Sequence, residues 1–238
     1  MLDHRRLADG AGIRRGVHMT MQSATTHQAR AKRILMIGAP GAGKGTQASL
    51  IAKQFGITHI ASGDLLRQHI AEGTTIGKQF EDFVNKGELV PDAIIMDMLR
   101  KPVLAANESG GYVLDGFPRT VEQAESAYRT AGSLGVGVQI AIHLEVPQDE
   151  LMRRMLERAR GADDTAEVIR HRIKVYEEKT RPLLDYYQQR ELLIQVNGAR
   201  PVTEVTWSIV VQLQRAFKRP TGPGRVPSTQ TRASQAVA

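Results

Sequence analysis

Ten consecutive residues constrain this chain more than any others: Gly38-Ala39-Pro40-Gly41-Ala42-Gly43-Lys44-Gly45-Thr46-Gln47. An apolar run, 33–37, comes before them and a helix-forming stretch, 46–55, comes after. The glycines therefore stand at a strand-to-helix turn, the context a phosphate-binding loop requires. Glycine lets successive backbone N–H groups turn inward on a single anion. A helix beginning near Lys44 adds the positive end of its dipole, and Lys44 itself adds a mobile cation that follows a phosphate chain. The general pattern G-x-x-x-x-G-K-[ST] is met only in part, because Gly45 holds the Ser/Thr place and Thr46 comes one residue later.

A loop of this kind needs a sheet beneath it. Further short apolar runs at 59–61, 112–114, 140–144 and 192–196 alternate with helical stretches. That alternation predicts an α/β fold: a parallel five-stranded sheet of the P-loop NTPase type, flanked by helices on both faces. Ligands of such sheets sit at the carboxyl ends of the strands.

Charge narrows the choice of partner. The chain carries +7 overall, a value that invites a nucleic-acid reading. Residues 1–33 hold seven Lys/Arg and two Asp, and 218–238 hold four Lys/Arg and no acid, so 34–217 sum to −2. The basicity belongs to the ends, around a near-neutral body. Residues 1–31 lack an apolar period and read as a disordered extension, within which Met19 and Met21 are alternative starts. Residues 218–238 read as a disordered basic tail. No aromatic-rich surface signature supports nucleic-acid binding. No apolar run approaches the ~20 residues that span a bilayer, and cysteine is absent, which fits a reducing, cytoplasmic setting.

The run Gly-x-Pro-Gly-x-Gly-Lys-Gly-Thr-Gln resembles the adenylate kinase form of the phosphate loop, and the resemblance extends in collinear order over roughly residues 33–215. It implies reversible phosphoryl transfer between MgATP and AMP, giving two ADP, by a domain over 32–217. An AMP-covering helical insert is expected over about 61–90 and a short lid over about 157–165. Gly41, Ala42, Gly43, Lys44, Gly45 and Thr46 would then hold ATP phosphates.

Further segments carry the resemblance on the monophosphate side. In Ile60-Ala61-Ser62-Gly63-Asp64-Leu65-Leu66-Arg67, Ser62 matches the hydroxyl near the adenine and Arg67 the arginine on the AMP phosphate. Alone, Arg67 would read as a solvated helix charge. Gly87-Glu88-Leu89-Val90-Pro91-Asp92 is similar to the segment whose Glu88, Leu89 and Val90 positions line the AMP base, and Asp92 also reads as a helix cap. In Asp115-Gly116-Phe117-Pro118-Arg119-Thr120, Asp115 is expected at a strand end facing the phosphate loop, where it orients Mg²⁺-bound water. Gly116, Phe117, Pro118 and Arg119 match AMP contacts, and Gln123 the glutamine that reads the adenine edge. Ser62, Thr120 and Gln123 favour AMP over UMP or CMP.

Downstream lies an arginine-rich stretch. Arg154 and Arg158 are four apart on a helix and share a face. Two cations on one face repel unless an anion lies between them, and a transferring phosphoryl group is such an anion. The text Arg158-Ala159-Arg160-Gly161-Ala162-Asp163-Asp164 resembles the lid of short-lid adenylate kinases, with Ala159 for glycine and one extra residue before Asp163. Arg158, Arg160 and Arg172 are the expected lid arginines. The zinc cysteines of long-lid relatives are absent, so Mg²⁺ with ATP is the expected metal and zinc is not. Residues 179–187 read as core and hinge, 196–201 as the loop that meets the ATP adenine, with Arg200 as its side-chain candidate, and Trp207 as ordinary packing. The resemblance implies a monomer.

Overall fold

The computed structural model describes residues 31–86, 91–158 and 165–218. Five strands form one sheet: β1 (Lys32–Ile37), β2 (Thr58–Ala61), β3 (Gly111–Asp115), β4 (Ile140–Glu145) and β5 (Leu193–Asn197). Their order is β2-β3-β1-β4-β5 and every pairing is parallel. All five expected strands are present, with ends within two residues of those read from the sequence. β1 lies at the centre between β3 and β4. The chain leaves it first towards one edge and later towards the other, so the crevice where ligands collect opens above β1.

Nine helices are described: α1 (Lys44–Phe55), α2 (Ser62–Ala71), α3 (Thr75–Lys86), α4 (Asp92–Glu108), α5 (Val121–Ser133), α6 (Gln148–Arg158), α7 (Ala166–Val175), α8 (Leu183–Gln188) and α9 (Val202–Lys218). A π-helical turn, Tyr176–Thr180, joins α7 to the segment leading into α8.

The continuous apolar run of β1 follows from its burial on both faces. Alternate side chains point opposite ways along a strand. Ile34 and Met36 join a core with Ile51 of α1, Ile169 of α7 and Ile209 of α9. Leu35 and Ile37 join a second core with Leu99 of α4, Ala124 of α5 and Leu183 of α8. Helix α9 buries Val205, Ile209 and Leu213, one stripe at a spacing of four. Trp207 falls off that stripe and is 70% exposed, so its expected role in packing is corrected.

The expected disordered segments fall outside the described residues, apart from Ala31 and Lys218. Helices α2 and α3 occupy the stretch expected as the AMP-covering insert. Of the expected lid, 159–164 lie outside the described residues.

Candidate active site

The phosphate loop connects the carboxyl end of β1 to α1. Its backbone turns where Ala42 N–H donates to Ala39 O at 3.1 Å. Gly41 and Gly43 have φ of 83° and 90°, a region closed to most side chains. Gly41 has a second constraint. A β-carbon there would lie 2.8 Å from Met155 Cγ and 3.0 Å from Leu151 O, so α6 packs directly against the loop. Gly43 immediately precedes α1, and the first N–H groups of that helix have no intrahelical acceptor. Lys44 folds its Nζ back to donate to Ala39 O at 2.9 Å. A β-carbon at Gly45 would sit 3.5 Å from Asp115 Oδ2. The carboxylate at the end of β3 thus lies against the first turn of α1, where the general loop pattern has a hydroxyl.

The expected monophosphate side is built from side chains. Ser62 opens α2 and is fully buried, and its Oγ has no hydrogen-bond partner among the described residues. Gly116 has φ 87°, and a β-carbon there would lie 2.6 Å from Ser62 Oγ and 3.5 Å from Arg119 Nη2. Arg119 Nε donates to Gly116 O at 2.7 Å. Burial pushes the Arg119 guanidinium below its ordinary pKa; Asp115 opposes the shift, while Arg172 and Arg67 reinforce it. The guanidinium remains a cation throughout the physiological range. Its electrostatic neighbours come from β3, α7 and α2, so one acid and two further arginines converge on it from three elements. Arg67 pairs with Asp64 one turn back, and its guanidinium lies 3.5 Å from where a Gly63 β-carbon would stand.

Gln123 is buried with both ends of its amide engaged. Its Oε1 accepts Arg119 N–H at 2.8 Å, and its Nε2 donates to Asp92 Oδ1 at 2.7 Å. Thr120 caps α5, its hydroxyl accepting Gln123 N–H at 3.2 Å. Asp92 is corrected in detail: it is the first residue of α4 rather than its cap, Pro91 precedes it, and its carboxylate is turned to Gln123. Phe117 is buried beside this turn, and the Phe117–Pro118 peptide is cis. Glu88, Leu89 and Val90 lie outside the described residues.

On the lid side Arg172 stands on α7. Arg158 ends α6, but its side chain and the whole of Arg160 lie outside the described residues. Arg154 departs from the sequence reading. Glu150, one turn back, accepts from Arg154 Nε at 2.6 Å and from Arg153 Nη2 at 2.7 Å. Those two arginines hold the Glu150 carboxyl down at about 2. Arg154 Nη1 then donates to Gly198 O at 3.0 Å. The argument from unrelieved repulsion therefore fails for Arg154, because the helix supplies its counter-ion. The Glu150-x-x-x-Arg154 spacing was the available signal. Helix α6 thus braces two loops, the phosphate loop through Leu151 and Met155 and the 197–200 loop through Arg154. Arg200 is exposed on that second loop.

A glycine-rich strand-to-helix loop near a cluster of arginines is an arrangement suited to phosphoryl transfer. The family model described as adenylate kinase matches residues 36–192. The chain belongs to the adenylate kinase family. The adenylate kinase of Trichodesmium erythraeum (strain IMS101) is 43% identical over 188 residues, covering 77% of this chain and 98% of that relative. That of Thermobifida fusca (strain YX) is 39% identical over 185 residues, covering 76% and 98%. That of Kocuria rhizophila is 40% identical over 186 residues, covering 77% and 99%. The adenylate kinase match spans the phosphate loop, the cluster around Arg119 and α7, and it ends within the segment between α8 and β5.

Proposed function

We propose that this chain catalyses reversible transfer of the terminal phosphoryl group of MgATP to AMP, giving two ADP, and so serves purine nucleotide homeostasis. The observation that carries the reading is the convergence of Arg67, Arg172 and Asp115 on Arg119, across from the glycine loop that holds Lys44. The three arginines raise a positive potential there, which Asp115 and the Asp64 partner of Arg67 offset in part and which draws an anion. A phosphate monoester on one side and a triphosphate on the other supply that anion.

In this reading the loop N–H groups and Lys44 bind the ATP phosphates, with the 197–200 loop at the base. Arg67 exchanges Asp64 for the AMP phosphate, and Arg119 aligns it. The buried Ser62 hydroxyl and the remaining donor and acceptor capacity of Gln123 face the adenine. A phosphate oxygen of AMP forms the new bond to the γ-phosphorus, the bond to the bridging oxygen breaks, and ADP leaves with that oxygen. No protein base is needed, because the attacking oxygen is already anionic. Positioning and charge neutralisation do the work. Arg158, Arg160 and Arg172 spread the developing charge when the lid over 157–165 closes and excludes water. Asp115 would orient water bound to Mg²⁺, and that cation would supply charge neutralisation at the ATP phosphates.

The finer expectations accompany this reading: a zinc-free short lid, a monomer and a cytoplasmic location. No helix among the described residues is long and apolar enough to cross a membrane.

The test is a nucleotide panel. Purified protein with MgATP and each of AMP, UMP, CMP and GMP is followed by chromatography. ADP from ATP plus AMP, and ATP plus AMP from ADP alone, are the expected products. Preferential turnover of another monophosphate would overturn the specificity argument from Ser62, Thr120 and Gln123.

A further inference from the structure

His143 is a buried titratable side chain that the transfer reaction does not use. It sits near the carboxyl end of β4, in register with Ile37, the last residue of β1 before the phosphate loop. It is 9% exposed. Its Nε2 lies 3.2 Å from the hydroxyl of Tyr176, and its Nδ1 is buried with no partner among the described residues. Tyr176 begins the π-helical turn, whose wide loop is closed by Arg181 N–H donating to Tyr176 O at 2.9 Å. This turn ends α7, the helix that carries Arg172 back from the lid. Single π turns inside helices recur at functional sites.

We propose that neutral His143 is a positioning residue: through Tyr176 it pins the π turn, and with it the lid-return helix bearing Arg172, to the sheet beside the phosphate loop, and protonation of His143 releases that pin. The idea rests on the phosphoryl-transfer reading above. The chemistry of the ring gives it direction. Neutral imidazole has one donor and one acceptor, and Tyr176 satisfies one nitrogen in either tautomer. A proton added to the ring places an N–H at Nδ1 with no acceptor in a buried site, at the cost of an unmade hydrogen bond and an unpaired charge. The charged groups acting on the ring are Glu145 of β4, Glu177 of the π turn, Arg181 just beyond it and Lys44 of α1. Burial dominates and pushes the imidazole down; Glu145 and Glu177 push it up, and Arg181 and Lys44 push it down. Burial, reinforced by Glu177, pushes the Tyr176 hydroxyl up to about 12, so only the histidine titrates near neutrality. Because the folded pKa is depressed, the contact is complete above the ordinary histidine range. It is lost as pH falls below ~6.5 and through the folded value.

The experiment compares wild type, His143→Gln and Tyr176→Phe from pH 5 to 8. Glutamine keeps a polar group toward Tyr176 and does not titrate. The substrate phosphates titrate alike in all assays, so the ratio of rates isolates the protein. His143→Gln is expected to keep kcat within about twofold at neutral pH, and the wild-type to His143→Gln ratio to fall as the ring protonates towards the acid end of the range, by up to about fivefold, the weight of one hydrogen bond. Tyr176→Phe should lower kcat about fivefold at neutral pH with KM for both nucleotides little changed. A flat ratio, or a Tyr176→Phe variant with unchanged kcat, overturns the proposal. If the wild type transfers no phosphoryl group, the functional reading has failed, and the positioning role is read without turnover by nuclear magnetic resonance. Protection of the Arg181 amide should then fall as the His143 ring protonates in wild type and stay constant in His143→Gln; equal behaviour in both overturns it.

Discussion

The phosphate loop and the proposed monophosphate cradle are made of different material. The loop is built from backbone. Its glycines, a helix start and one lysine lie within ten consecutive residues, and its shape follows from local φ values. The cradle is built from side chains on four elements. Ser62 on α2, Gly116 and Arg119 after β3, Gln123 on α5 and Asp92 on α4 meet only because the sheet places β3 beside both β1 and β2. A backbone site tolerates sequence change at positions other than its glycines and its lysine. A side-chain site transmits every change to the next partner in the chain of hydrogen bonds.

Lys44→Met tests the loop with the largest expected effect. The lysine's hydrogen bond to Ala39 O lies within its own loop, so its loss should leave thermal unfolding almost unchanged. Turnover should fall on the order of 10³-fold, because a cation aimed at developing charge in a closed site is worth that much. Circular dichroism melting beside a coupled kinase assay separates the two. Turnover within tenfold of wild type would remove Lys44 from the chemistry.

A matched pair of glycine substitutions sharpens the contrast. Gly116→Ala forces a side chain into a positive-φ position and towards Ser62 Oγ and Arg119. The expected cost is about 2–3 kcal/mol of stability, with KM for AMP raised more than KM for ATP. Gly41→Ala meets Met155 and the Leu151 carbonyl of α6 instead, and should raise KM for ATP selectively. Denaturant melts and two-substrate kinetics on both variants decide it. The same nucleotide affected by both would mean that the two sites do not divide the substrates this way.

The contrast also governs what the sequence disclosed. All five strands and the loop were legible, because period, glycine spacing and strand-to-helix context are local properties. Ser62, Arg67, Asp115, Arg119 and Gln123 were named from an ordered string of motifs, and the fold gathers them at the strand ends. Their partners were not legible. Nothing within a few residues of Gln123 signals that its amide reaches Asp92, 31 positions earlier. The Glu150–Arg154 pair was legible, because an acid one turn before an arginine on a helix is a local spacing. The brace from Arg154 to Gly198 spans 44 residues, so only the fold shows it.

Gln123→Ala probes the cradle's internal wiring. Truncation leaves the Arg119 N–H and the Asp92 carboxylate without their partner in a half-buried site. The expected loss is about 1–3 kcal/mol, together with a raised KM for AMP and a nearly unchanged KM for ATP. Gln123→Glu keeps the acceptor for Arg119 N–H but sets a second carboxylate against Asp92, and should be at least as destabilising near neutral pH. Urea melts of the two variants rank them. A more stable Gln123→Glu would show that the Asp92 contact matters less than the Arg119 one.

Trp207→Ala carries the smallest expected effect and tests the fold rather than the site. The buried stripe of α9 runs Val205, Ile209, Leu213, and Trp207 lies two residues round from its start, about 200° away in a 3.6-residue helix. An indole 70% exposed has little apolar contact to lose. Its replacement should change stability by no more than about 0.5 kcal/mol, while the gain in helix propensity from alanine offsets part of that loss. The single tryptophan makes the check direct: its fluorescence in the native protein should already be red-shifted and open to iodide quenching. A blue-shifted, protected emission, or a loss above about 1 kcal/mol on truncation, would mean that this face of α9 is covered in solution.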